Sequence, residues 1–140
     1  MISAVILTKN NEKTIEKLLV SLTNFLEILI VDTGSTDNTL LIAKKFPNTK
    51  IVTKKFTSFG RLRNEAALLA KHEWILSIDS DEVLSPSLQQ EILSLNLRNP
   101  RCIYALKREN YYQGKKVSCC GWNSELRVRL YCRLTTGFHS

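Results

Sequence analysis

No apolar run in this chain approaches the roughly 18 residues that a membrane-spanning helix needs. The N-terminus, MISAVILTKN, has neither the basic start nor the small-residue cleavage site of a signal peptide. A cytosolic place is therefore expected. The four cysteines (Cys102, Cys119, Cys120, Cys132) show neither CxxC spacing nor a Cys/His grouping, which argues against structural zinc and for reduced thiols acting as small apolar residues. Glycine and proline are scarce, at five and three in 140 residues, so fibrous and low-complexity architectures are excluded. No repeat or linker interrupts the chain, and 44% hydrophobic residues suffice for one compact domain. Acidic residues are sparse in one region only. Residues 98–140 hold nine Lys/Arg against Glu109 and Glu125, whereas residues 1–97 hold eleven of each sign. The whole net charge of +7 thus lies in the last 43 residues. A segment of that sign attracts an anionic membrane surface, a phosphorylated or acidic substrate, or nucleic acid.

What is present is an alternation of short β-branched runs and stretches of helical period. Ser3–Thr8 reads as a strand, and Glu12–Leu22 as a helix with Ile15, Leu18, Leu19 and Leu22 on one face. Glu27–Val31 is a second strand, closed by the polar turn Asp32-Thr33-Gly34-Ser35-Thr36-Asp37; a helix then runs to Phe46 and stops at Pro47. Lys50–Thr53 is a third strand, Arg61–Lys71 a third helix, and Trp74–Ile78 a fourth strand ending in Asp79-Ser80-Asp81-Glu82. Ser85 caps a helix over Pro86–Leu95. This order predicts an α/β domain on a mainly parallel sheet with helices on both faces. After residue 98, segments 102–107, 115–120 and 125–134 read as strands and hairpins.

Ligands of such sheets bind beyond the carboxyl ends of the strands, where this chain places Thr8–Asn11, Asp32–Asp37 and Asp79–Glu82. In an extended strand end Asp79 and Asp81 point the same way, and their like charges favour a shared divalent cation, Mg²⁺ or Mn²⁺, completed by substrate phosphates. The plainer alternative is an acidic loop that starts the next helix. Asp32 is a candidate acceptor for a ribose hydroxyl or base N–H, with Ser35 and Asp37 placed to cap the following helix. Thr8 and Asn10 offer a hydroxyl and an amide to the same ligand. Arg61 and Arg63 stand where cations oppose the helix dipole, which a bound phosphate explains and a solvated pair explains equally. Trp122, Tyr111 and Tyr112 suit either sugar stacking or the core. A nucleotidyltransferase would carry a Gly-rich loop after the first strand, and Lys9-Asn10-Asn11-Glu12 has no glycine. No nucleic-acid reading motif is visible, so nucleic acid is not an expected partner.

ILTKNN (6–11), VDTGSTDNT (31–39), FGRLRNEA (59–66) and WILSIDSDE (74–82) together resemble the family 2 glycosyltransferases, most nearly the branch that adds sugars to lipopolysaccharide cores. Gly121-Trp122 and Arg127–Arg133 (RVRLYCR) resemble that branch's tryptophan and Arg-x-Arg-Leu segment, while Thr33 stands where many members carry a second acid. The resemblance implies a GT-A fold, a UDP-sugar donor and an inverting hexose transfer to a phosphorylated glycolipid acceptor. Thr8 and Asn11 then lie near base and ribose, Asp32 holds the nucleotide, and Arg63 lies on the diphosphate side. Asp79 and Asp81 form the DxD, with Asp81 the more direct metal ligand. Residues 1–97 are expected to be the nucleotide-sugar and metal half, and 98–140 an incomplete, basic acceptor-side half of the same domain, peripheral at the inner membrane face. Glu125 is the candidate general base. Relatives are expected to run on well beyond residue 140, so a remnant that binds nucleotide-sugar without transferring is the alternative.

Overall fold

The computed structural model describes residues 1–112, 115–117 and 124–135. The chain order is β1 (Ile2–Thr8), α1 (Ile15–Ser21), β2 (Glu27–Asp32), α2 (Thr39–Ala43), β3 (Thr49–Thr53), α3 (Phe59–Leu69), β4 (Trp74–Asp79), α4 (Pro86–Leu93), β5 (Tyr104–Tyr112), β6 (Lys115–Val117) and β7 (Ser124–Cys132). The described strands form one sheet in the order β3-β2-β1-β4-β7-β5-β6. β3, β2, β1 and β4 are mutually parallel, and β7, β5 and β6 are added antiparallel beyond β4.

Alternation along each central strand divides the core into two layers. Ala4, Ile6, Ile28, Ile30, Leu76 and Ile78 pack on one face with Ile15, Leu18, Leu19 and Leu22 of the α1 region, Ala43 of α2 and Ile92 of α4. Val5, Leu29, Val31, Ile75 and Tyr131 face the other way onto Ala66, Ala67 and Ala70 of α3 and its end. Small alanines on that helix let it lie close to the sheet. The expected strand and helix order over residues 1–95 is present, with differences at the ends.

The first helix begins at Ile15 rather than Glu12, because the Asn11 carbonyl accepts from both Thr14 N–H (3.1 Å) and Ile15 N–H (2.9 Å), which makes residues 12–14 a turn. The second ends at Ala43 rather than Phe46. Lys45 and Phe46 close i→i+3 bonds onto Ile42 and Ala43, the tightened end expected before a residue that Pro47 bars from helical geometry. Ser58 caps α3 by accepting from Arg61 N–H, and Ser85 caps α4 by accepting from Leu88 N–H. At the other end of α3, the Arg133 guanidinium from just beyond β7 donates to the carbonyls of Ala67 and Ala70, a cation where the helix dipole favours one. Cys132 is buried and Cys102 exposed, both as free thiols, while Cys119, Cys120, Gly121 and Trp122 lie outside the described residues.

Leu76 sits on a central strand between Ala4 and Leu130, fully buried. Leu76→Ala should lower the unfolding free energy by about 2 to 5 kcal/mol in a denaturant titration. Leu68→Ala on the solvent side of α3 should change it by less than about 0.5 kcal/mol. Equal losses from the two would contradict the layer assignment.

Candidate active site

Parallel register brings the polar strand ends to one level. Thr8 pairs with Asp32, and Leu7 with Asp79. The strand order reverses between β1 and β4, which is where open α/β sheets bind their ligands. Three loops meet there.

The loop after β1 is bound to the loop after β2 by side chains. Asn10 has a left-handed backbone (φ 54°), a conformation asparagine tolerates better than most residues. Its Oδ1 accepts from Thr36 N–H (2.8 Å) and Asp37 N–H (3.3 Å), while its own N–H donates to Ser35 Oγ (2.9 Å). Asn11 Oδ1 accepts from Thr8 Oγ1 (2.7 Å) and Lys9 N–H (3.0 Å), and Asn11 N–H donates to Thr39 Oγ1 (2.8 Å). Asp32 is 2% exposed. Its carboxylate accepts from Gly34 N–H, Ser35 N–H and Ser35 Oγ. That turn needs φ 125° at Gly34, open to glycine and strained for any other residue.

Thr8 and Asp32, the residues expected to meet a nucleotide, are engaged with their own loops. Both are buried, and their oxygens hold the loop whose outer surface Asn10 and Asn11 form. Ser35 does not cap α2, because its hydroxyl is taken by Asp32 and Asn10. Asn38 is the N-cap residue and makes no side-chain cap bond, while Asp37, one residue earlier, accepts from Thr39 N–H and Thr39 Oγ1 at the first helical position. Burial pushes the Asp37 carboxyl up, but the Thr39 hydroxyl, together with the Thr39 and Glu12 N–H groups, outweighs this and holds it below its ordinary value.

The acidic segment does not continue the strand. Glu82 N–H donates to the Asp79 carbonyl (3.0 Å), closing a turn over Asp79–Glu82, so the expectation that Asp79 and Asp81 share one direction on an extended end is corrected. Glu82 Oε1 accepts from Asp79 N–H (2.8 Å), and Thr14 Oγ1 donates to the Ser80 carbonyl (3.0 Å), tying this turn to the first loop. Arg63 Nη2 lies 3.2 Å from Asp79 Oδ1, and Arg129 Nη2 lies 3.3 Å from Asp79 Oδ2 and 3.2 Å from Glu82 Oε2. Arg63 also lies over the Phe59 ring, 5.5 Å from its centre, whereas Arg61 pairs with Glu65 on its own helix. Asp81 is exposed at the tip of the turn.

The donor set suits a divalent cation through Asp81 first. Its carboxylate makes no hydrogen bond among the described residues, while Asp79 already meets two guanidinium groups. Among the described residues no three His, Cys, Asp or Glu side chains converge. The site therefore provides one or two carboxylates, the number that Mg²⁺ commonly takes when phosphates and water complete its shell. Glu125 lies on β7, in register with Arg108. Burial pushes the Tyr131 phenol up to about 12, with the Arg63 guanidinium pulling it the other way, so it is neutral at physiological pH. Sequence reasoning missed the parts played by Arg129 and Glu82; the traces were an arginine between apolar Val128 and Leu130, and the acid directly after Asp79-Ser80-Asp81.

The family model for glycosyl transferase family 2 matches residues 3–118, and the chain belongs to that family. An uncharacterized glycosyltransferase of Rickettsia bellii is 41% identical over 92 residues, covering 65% of this chain and 31% of the relative. One from Rickettsia typhi is 38% identical over 141 residues, covering 98% of this chain and 48% of the relative. This chain thus spans about a third to a half of the length of such relatives. The structure of S. aureus TarS (1–349) in complex with UDP-GlcNAc is 33% identical, with a TM-score of 0.59 over 66% of this chain and 30% of that one. A Pyrobaculum calidifontis mannosyltransferase in complex with GDP-Man and Mn²⁺ reaches 0.62 at 21% identity over 76% of this chain and 35% of its own. The fold is the GT-A glycosyltransferase fold.

Asp37→Asn keeps an acceptor for Thr39 and removes the charge. Because the folded carboxyl titrates below the ordinary aspartate value of 3.8, its stabilisation is present above that pH and lost as pH falls through the folded value. The stability deficit of Asp37→Asn should be greatest at neutral pH and close as the pH falls through the folded value. A deficit that stays constant as urea titrations are carried from neutral into acid pH would contradict a role for the Asp37 charge at the start of α2.

Proposed function

We propose that the chain carries the donor half of an inverting glycosyltransferase that moves a hexose from a UDP-sugar to an acceptor hydroxyl. The observation that carries this reading is the acidic turn Asp79–Glu82, held by two arginines at the switch point of a family 2 chain. The UDP-GlcNAc bound by TarS supports the choice of donor. Asn10 and Asn11 contact the base and ribose, and Thr8 and Asp32 act behind them by fixing the loop. Arg63 turns from Asp79 toward the diphosphate as that anion arrives, an exchange of one charge-assisted bond for another. Asp81 first, with Asp79 of the same turn, would hold Mg²⁺ or Mn²⁺, and the chemistry such an ion would supply is neutralisation of charge on the departing diphosphate.

In the transfer, the acceptor oxygen forms a bond to the anomeric carbon as the bond to the diphosphate oxygen breaks with its electron pair. The configuration inverts. The hydroxyl proton passes to a carboxylate on the acceptor side, for which Glu125 is assigned. The acceptor is a phosphorylated glycolipid of the lipopolysaccharide-core type at the cytoplasmic membrane face. That choice is supported by the family resemblance and by the basic charge of residues 98–140. No helix among the described residues is long and apolar enough to cross a membrane.

Calorimetric titration with UDP-GlcNAc and UDP, with and without Mn²⁺, tests it. Binding should strengthen with Mn²⁺, and Asp81→Ala should weaken the Mn²⁺-supported binding at least about tenfold, ~1.4 kcal/mol. Absence of UDP binding in either condition would overturn the reading. Binding without donor hydrolysis or transfer would assign the chain to nucleotide-sugar binding alone.

A further inference from the structure

Arg129 has no part in the reaction as written, yet its surroundings are unusual. Among the described residues, Asp32 and Arg129 are the charged side chains that are buried, and Arg129 is 8% exposed. It comes from the antiparallel strand β7, in the basic segment, and reaches across to the acidic turn. Pairing of β7 with β5 slips by one residue at this point. Tyr104 faces Leu130 and Ala105 faces Val128, which leaves Arg129 as the additional residue of a bulge. Bulges re-aim a side chain, and this guanidinium lies within 3.3 Å of Asp79 Oδ2 and 3.2 Å of Glu82 Oε2.

We infer that Arg129 is a positioning residue of the donor site. By neutralising Asp79 and Glu82 together it lets two carboxylates stand on one four-residue turn, and that turn directs Asp81 outward to the cation of a metal–nucleoside diphosphate. Without it, like charges on Asp79 and Glu82 repel and the turn opens. Lysine offers a single ammonium, which does not reproduce the planar arrangement of guanidinium donors. The inference rests on the reading of this turn as the donor-metal site.

The test uses the full chain and the variants Arg129→Met, Arg129→Lys and Glu82→Gln, with circular dichroism to establish folding. Mn²⁺ affinity in the presence of UDP is read from the electron paramagnetic resonance of free Mn²⁺, and UDP affinity is read separately in metal-free buffer. Arg129→Met should weaken Mn²⁺ binding about 10- to 100-fold, the range for groups that orient metal ligands, while metal-free UDP binding stays within about twofold of wild type. Arg129→Lys should fall between, and Glu82→Gln should shift Mn²⁺ in the same direction by less. A merely structural arginine would move both affinities or neither. If Arg129→Met does not fold, Glu82→Gln decides. Mn²⁺ affinities within about twofold of wild type in the folded variants would overturn the inference, as would a wild-type chain that binds UDP but no Mn²⁺. A wild-type chain that binds neither overturns the functional reading beneath it as well.

Discussion

Parallel pairing of β1 with both β2 and β4 is the constraint from which the site follows. A parallel ladder requires each connection to cross over the sheet, so the chain leaves every strand at the same edge. With Thr8 level with Asp32, and Leu7 with Asp79, three loops of different sequence leave from one line. Their polar side chains have only one another and solvent to bond. Asn10 therefore satisfies amides of the second loop, and Thr14 a carbonyl of the third. Each bond contributes about 1 kcal/mol, small against the apolar layers beneath. What the bonds determine is the shape of the edge rather than the existence of the fold.

Charge at that edge is the costly part. Asp79 and Glu82 lie close enough for one guanidinium nitrogen to meet both, and the Asp79 side chain is about one-third exposed. Two carboxylates so placed repel one another unless cations stand beside them. Arg63 and Arg129 supply those cations from elements 66 residues apart in sequence. Arg129 is desolvated in doing so, and a buried ion pair gains stability only when its hydrogen bonds are complete. The arrangement is better understood as specifying the turn than as stabilising the domain.

The layers were legible in the sequence because they depend on local signals. Continuous β-branched runs mark buried parallel strands, and Ser85-Pro86 marks a helix start that the structure reproduces to the residue. The site was legible in its location and less so in its geometry. Asp32 reads as a strand-end acid, but its bonds to the amides of Gly34 and Ser35 depend on the turn the glycine permits, which the sequence pattern does not display. Likewise, Asp79-Ser80-Asp81 reads as an extended triplet until the Glu82 N–H closes onto Asp79. Period-two reasoning cannot detect such a bond. Arg129 was hidden for a different reason: its placement comes with a one-residue slip in antiparallel pairing with β5, a property of two strands together.

The role of β7 also alters what the charge asymmetry means. Nine Lys/Arg in residues 98–140 suggested a basic surface for an anionic acceptor or membrane. Two of them are engaged within the fold: Arg129 on the acidic turn, and Arg133 on the end of α3, the helix that carries Arg63. At about 1 kcal/mol per basic residue near an anionic surface, these two subtract from any membrane attraction inferred from net charge. They bind the acidic turn and the end of α3 instead. β7 also covers the edge of β4, whose apolar Ile75 and Leu76 would otherwise border an unpaired ladder open to other strands. The two compositional parts of the chain are thus joined in one sheet: the neutral part supplies the acidic turn and α3, and the basic part supplies the strand beside β4 and the arginines that meet that turn and the end of that helix.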